Sequence, residues 1–176
     1  APNPKSARLM NRSHQWGVGS WILLPTLLLA SLWSCQEIFT AFRFDPGSQG
    51  GFPAFVLWIL SAFAARFVPT PQPENTLPSA CVAAVLFLLS VATEINLAAQ
   101  FAFVFSVSAF IPSRRARLAL LLSGFSWIPA TGWFAPASLL PLLPHLRVLL
   151  ALVGMLYIAS LLFRRYLPIR PFSRAS

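Results

Sequence analysis

The stretch "SVATEINLAAQ", residues 90–100, decides how the chain is organised. It lies in the middle of an apolar run from Leu77 to Ile111. As one helix those 35 residues would be about 50 Å long at 1.5 Å per residue, far more than the roughly 30 Å of a bilayer core. Glu94 would then sit near the centre, where insertion scales charge an ionised residue about 2.5–3.5 kcal/mol. A turn at Thr93–Asn96 removes most of that cost, because Glu94 then reaches the interface. The run therefore reads as two short helices joined by a tight hairpin.

The rest of the sequence makes a membrane the relevant solvent. Of 176 residues, 57% are hydrophobic and 10% charged, where a soluble domain carries about 25% charged residues. So few charges cannot cover a water-soluble surface. The formal charge of +9, from 13 Lys and Arg against four acids, would suggest nucleic acid in a soluble protein. Here the basic residues flank apolar runs, which points to lipid headgroups and threading, with no nucleic-acid partner.

Six apolar segments follow: residues 16–39, 51–67, 78–92, 95–111, 116–134 and 146–163. Charge bias tests the count independently. With six spans and a cytoplasmic N-terminus, 11 Lys and Arg fall inside and only Arg43 and Arg147 outside. With five spans the cluster "RRAR" (114–117) and the C-terminal tail from Arg164 onward move outside, leaving five inside and eight outside. The positive-inside rule favours six. The expectation is an all-α, polytopic bundle of six short spans, residues 1–176 forming a single integral membrane domain of the inner (plasma) membrane, both termini cytoplasmic.

Proline marks the connections. "FVPTPQPENTLP", residues 67–78, holds four prolines and cannot be a helix interior. "FDPGSQGG", residues 44–51, has turn chemistry at Asp45-Pro46-Gly47. "APASLLPLLP", residues 135–144, is proline-broken and expected to be non-helical, lying along the outer interface or re-entering the membrane slightly. Pro25 and Pro129 fall inside spans and should kink them. Trp16, Trp21, Trp33, Trp58, Trp127 and Trp133 fall near span ends and suggest an aromatic belt. Near the start, Leu32-Trp33-Ser34-Cys35 approximates a lipoprotein cleavage box, but Trp33 fits poorly where such boxes take a small residue. The first segment is expected to be an uncleaved helix.

The inventory for chemistry is thin, with two histidines, two cysteines and four acids. His14 reads as a headgroup-facing side chain. His145 reads as an interfacial residue snorkelling beside Arg147, and these two histidines are the candidates for binding a cofactor, such as a pigment or lipid shared with a partner. Cys35 and Cys81 read as small buried residues at opposite faces, beyond disulfide reach. Glu37, Asp45 and Glu94 fall at the outer face, and Gln100 is placed one turn into the fourth span to bond a neighbouring helix. No phosphate loop, zinc spacing or Ser-His-Asp pattern is present, so no catalytic residue and no metal ligand is expected.

The loop and helix "GSQGGFPAFVLWIL" (47–60), the proline-rich loop, the hairpin and "RRARLALLLSGFSWIPATGWF" (114–134) resemble, over roughly Trp21–Pro136, the N-terminal half of the exosortase/archaeosortase family. The resemblance implies a polytopic membrane protein. The family's protease-like chemistry uses a Cys, an Arg and a His in its C-terminal half. Here Cys35 and Cys81 stand in other segments, and Gln49 occupies the place of the loop histidine, so no catalytic residue carries over. The resemblance therefore implies a shortened or repurposed member. A second likeness, to small cell-shape membrane proteins, rests on helix count alone. The function expected from these residues is a non-enzymatic accessory, scaffold or assembly subunit of a larger membrane complex, with lipid bilayer and other membrane subunits as partners. An exosortase-like membrane enzyme or a small transporter is the alternative.

Overall fold

A computed structural model describes Pro25, residues 27–33, Ile38, Phe42 and residues 50–70, 76–129 and 136–164. These residues form helices and their connections, with no strand among them. The helices are α1 (Gly51–Ala65), α2 (Leu77–Thr93), α3 (Asn96–Ala109), α4 (Arg114–Gly124) and α5 (Leu143–Phe163), with a 3-10 helix, Ala137–Leu142, leading into α5. Pro25, residues 27–33, Ile38 and Phe42 are also helical.

Local chemistry explains the boundaries. Gly50 precedes α1 with φ +79°, a conformation that costs a side-chain-bearing residue about 1–2 kcal/mol. A Cβ on it would also lie 2.6 Å from Pro144 Cα. α1 stops where the Phe67 and Val68 amides turn back to the Ala64 and Ala65 carbonyls, just before Pro69. Glu94, in the left-handed region at φ 57°, closes α2, and the chain re-enters helix at Asn96. The break thus falls within the Thr93–Asn96 window, and Glu94 is exposed. Ser113 caps α4, its hydroxyl accepting from the Ala116 amide.

Two boundaries differ from the sequence reading. The helix in the fifth segment ends at Gly124 rather than running to residue 134. Gly124 weakens the helix. The Phe125 and Ser126 amides bond to the Leu122 and Ser123 carbonyls, the Ser126 hydroxyl donates to Ser123 O at 2.6 Å, and Pro129 follows. Pro129 therefore lies beyond the end of α4 rather than inside it. The sixth segment begins earlier than residue 146, since residues 137–142 are 3-10 helix and Pro144 occupies the first turn of α5, where its missing N–H costs no bond.

Consecutive helices run antiparallel. Phe101 of α3 packs edge-on against Phe125 beyond the end of α4, ring centroids 5.4 Å apart. Gly154 of α5 faces Ser123 of α4, and Arg147 reaches the carbonyls of Ile128 and Pro129. Gly50 meets Pro144, so α1 and α5 start side by side and run parallel. α4 packs against α1, α3 and α5, while α2 packs chiefly on α3 and lies at the edge.

One end of this array carries Gly50, the Glu94 turn, residues 124–129 and the start of α5. The other carries the exposed Arg66, Arg114, Arg115 and Arg164. Among the described residues one helical stretch, Ser138–Phe163, is long and apolar enough to cross a membrane, with mean hydropathy 2.3. α5 alone, with 21 residues, is about 31 Å long.

The interior is lined by many small and hydroxyl-bearing residues around a few large ones, Trp58, Phe103, Leu120 and Trp127 among them, while most large apolar side chains lie outside. The buried stripe of α1 is Gly51, Ala54, Trp58, Ser61, Ala62 and Ala65. That of α5 is Arg147, Ala151, Gly154 and Ile158. Exposed instead are Phe52, Leu60, Phe63, Leu88, Leu122, Leu149 and Leu156, among others. Soluble proteins place such large apolar side chains inside. Buried serines satisfy themselves on their own helices: Ser61 donates to Leu57 O, Ser106 to Ala102 O and Ser108 to Phe105 O, each at 2.7–2.8 Å. Small stripes of this kind let backbones approach closely, as they do between helices in lipid.

Candidate functional site

Buried polar side chains occur along the whole bundle, and one of the two arginines buried among the described residues lies at the Glu94 end. Arg147, expected to snorkel beside His145, is instead buried at 3% exposure. Its Nη2 donates to Pro129 O at 3.0 Å and to Ile128 O at 3.5 Å. The reason lies in the short α4. Residues beyond Gly124 leave helical geometry, so their carbonyls need donors from elsewhere, and a guanidinium offers five. Arg147 stands on the stripe of α5 that faces them, and the tether fixes the connection between α4 and α5.

Beside this tether an aromatic group fills the centre of the bundle. Trp58 and Trp127 are buried and lie 5.6 Å apart, and Phe55 and Phe103 pack on both. The indole N–H of Trp58 donates to Leu120 O at 2.8 Å, joining α1 to α4. This corrects the aromatic-belt expectation for these two residues. Apolar helices and their seams use tryptophan alike, and only the three-dimensional register separates the cases. Trp33 is strongly exposed, while Trp16, Trp21 and Trp133 lie outside the described residues.

Gln100, on the buried side of α3, does not bond a neighbouring helix: its Oε1 is buried and has no hydrogen-bond partner. Trp127 Nε1 is likewise buried without a partner. Arg117, counted in the sequence reading among the charges flanking a span, is buried on α4. It lies ten residues before Trp127, at the other end of the bundle from Arg147.

Of the two histidines, His145 is exposed on the first turn of α5, next to the Gly50–Pro144 contact, and His14 lies outside the described residues. Cys81 is exposed rather than buried. It sits in the first half of α2, 13 residues before Glu94, which places it about 19 Å from that turn along the helix. The Cys81 thiol and the His145 imidazole are thus near opposite ends of the bundle and form no nucleophile–base pair. Cys35, Glu37, Asp45 and Gln49 lie outside the described residues. No group of three or more His, Cys, Asp or Glu that could hold a metal ion occurs among the described residues.

What the arrangement offers is therefore a rigid bundle with an apolar perimeter, one end where a buried arginine ties down irregular backbone, and one end ringed by exposed arginines. No protein-family model, no curated protein and no solved structure matches this chain.

Proposed function

We propose that this protein is a multi-pass inner-membrane protein of six short spans, both termini cytoplasmic, that serves as a non-enzymatic accessory or assembly subunit of a larger membrane complex. The observation that carries the reading is the partition of side chains: many Ala, Ser and Gly line the inside around a small group of large residues, while most of the Phe, Leu and Val are exposed. Such a perimeter is stable only against acyl chains or apolar partner helices. The polarity of the bundle supports the threading. Arg66, Arg114, Arg115 and Arg164 come from three helices to one end, as a cytoplasmic face requires, and Glu94 lies at the other. The short helices suit contact with neighbouring subunits. α4, with 11 residues, reaches only about 16 Å, and the backbone beyond it needs protein cover at that depth. The separation of Cys81 from His145 favours the subunit role over a cysteine-dependent enzyme.

Threading is tested by replacing Cys35 and Cys81 with serine and placing single cysteines at Ile95 and Arg115 in turn. In intact cells an impermeant maleimide should label position 95 and leave 115 unlabelled until the cells are opened; labelling of 115 from outside would refute the six-span arrangement. The role is tested by partner co-purification measured beside the activity of the complex. Substitution of His145 or Glu94 should alter both only modestly, whereas deleting α5 and the basic residues after it should abolish assembly. Loss of activity on His145→Ala with assembly intact would refute the accessory role and make His145 a reacting or cofactor-binding group.

A further inference from the structure

The exposed arginines have a feature that threading alone does not require. Arg114 and Arg115 occupy the first turn of α4, where no acidic residue accompanies them. A helix N-terminus carries partial positive charge, so cations there are disfavoured by about 0.3–1 kcal/mol each. Ser113 satisfies one of the free amides of that turn, and Arg66 and Arg164, at the C-caps of α1 and α5, converge on the same end. The only acid among the described residues, Glu94, is at the far end. An anion seated here would offset the charge of all four.

The apolar neighbours identify its kind. Phe67 follows Arg66, Phe163 precedes Arg164, and Phe63 lies one turn below Phe67 with ring centroids 5.3 Å apart. All three rings are strongly exposed. Each C-cap arginine thus has a large apolar ring beside it on the same rim. An acidic soluble partner would meet the charges and leave the rings in water. A phospholipid meets both, its phosphate among the guanidinium groups and its acyl chains along the rings and the helices below.

We propose that this end of the bundle is a binding surface for anionic phospholipid, with Arg66, Arg114, Arg115 and Arg164 holding the phosphate and Phe63, Phe67 and Phe163 the start of the acyl chains. All four cations are arginine, whose planar fork pairs with phosphate through two parallel hydrogen bonds where an ammonium acts as a point charge. The proposal rests on the membrane reading above and adds a ligand class to it.

The experiment uses the full chain, purified in a neutral detergent and titrated by native mass spectrometry with phosphatidylglycerol, phosphatidylcholine of the same acyl chains, glycerol 1-phosphate and a poly-glutamate peptide. Phosphatidylglycerol should bind at least about tenfold more tightly than phosphatidylcholine. Each of Arg66→Gln and Arg164→Gln should reduce that preference about fivefold, the equivalent of about 1 kcal/mol per basic residue near an anionic surface. In the unaltered protein the preference should shrink as salt rises from about 0.05 to about 0.5 M, a reading that needs no variant to fold. Equal binding of the two lipids, or a preference that survives both substitutions, overturns the proposal. Glycerol 1-phosphate binding as tightly as phosphatidylglycerol would show a site for a free anion, and displacement of the lipid by poly-glutamate at lower concentration a protein-docking face; either overturns it. Protein that stays soluble without detergent would refute the membrane reading itself, whereas detergent-dependent protein with no lipid preference would refute the lipid site alone.

Discussion

Gly154 offers the sharpest test of the packing. It stands on the inner stripe of α5 facing Ser123 of α4, and a Cβ there would lie 2.6 Å from Ser123 Cβ and 2.9 Å from Ser123 Oγ. Ordinary contact begins at 3.4 Å, so the helices would have to part by about 0.8 Å. Ser123 Cβ is fixed to the backbone and its Oγ is held by a bond to Leu120 O, and a gap of that size forfeits a quarter to a half of the dispersion attraction along the seam. Overpacking of this kind costs about 1–3 kcal/mol. Against it stands the gain from replacing glycine by alanine in a helix interior, about 1 kcal/mol. Gly154→Ala should therefore destabilise by up to about 2 kcal/mol, where the same change on a free helix stabilises by about 1 kcal/mol. The partner supplies the control. Ser123→Gly removes the obstructing Cβ, and in that background Gly154→Ala should become neutral or stabilising. A double-mutant cycle by thermal or denaturant unfolding in detergent should give a coupling of about 1–3 kcal/mol. If Gly154→Ala stabilises with Ser123 present, or the cycle shows no coupling, α4 and α5 do not meet at this pair and the packing described here is wrong.

Gly50→Ala should destabilise by at least about 2 kcal/mol, because the new Cβ pays for the left-handed φ and also meets the Pro144 backbone at 2.6 Å; a calorimetric or fluorescence melt reads this directly. Trp58→Phe keeps an aromatic ring but loses part of the indole's volume and the N–H bonded to Leu120 O, so it should cost about 1–2 kcal/mol, whereas Trp58→Ala should cost about 3–5 kcal/mol. Arg147→Ala should cost about 2–4 kcal/mol and make the backbone near Ile128 and Pro129 exchange hydrogen faster, while His145→Ala, on the exposed side of the same turn, should change both by little.

How much of this could be read from the residues depended on whether the signal was local. The α2–α3 break was legible because one carboxylate in a long apolar run has few affordable positions, and Glu94 closes α2 there. The basic end was legible because "RRAR" and its counterparts flank apolar runs. The early end of α4 had a signal, Gly124 with Ser126 and Pro129 close behind, but it was outweighed by the continued hydropathy of Phe125, Trp127 and Ile128. The burial of Arg147 had none. A lone arginine in the first turn of an apolar helix looks the same whether it faces headgroups or irregular backbone, and that backbone exists only because a different helix stops short. Trp58 and Trp127 were ambiguous for a related reason: they lie 69 residues apart in sequence, and Trp58 meets Phe103 and Leu120 across 45 and 62 residues.

The Trp58–Trp127 pair gives the molecule its own optical gauge. Two indoles 5.6 Å apart and inclined by 51° are close enough for their excited states to couple. Their near-ultraviolet circular dichroism should carry a paired, oppositely signed band that vanishes when α1 and the turn after α4 separate. Screened from solvent, both should emit at short wavelength, and with Trp16, Trp21, Trp33 and Trp133 replaced by Phe a red shift would report opening of the centre of the bundle. The core thus carries its own reporter, with no attached label.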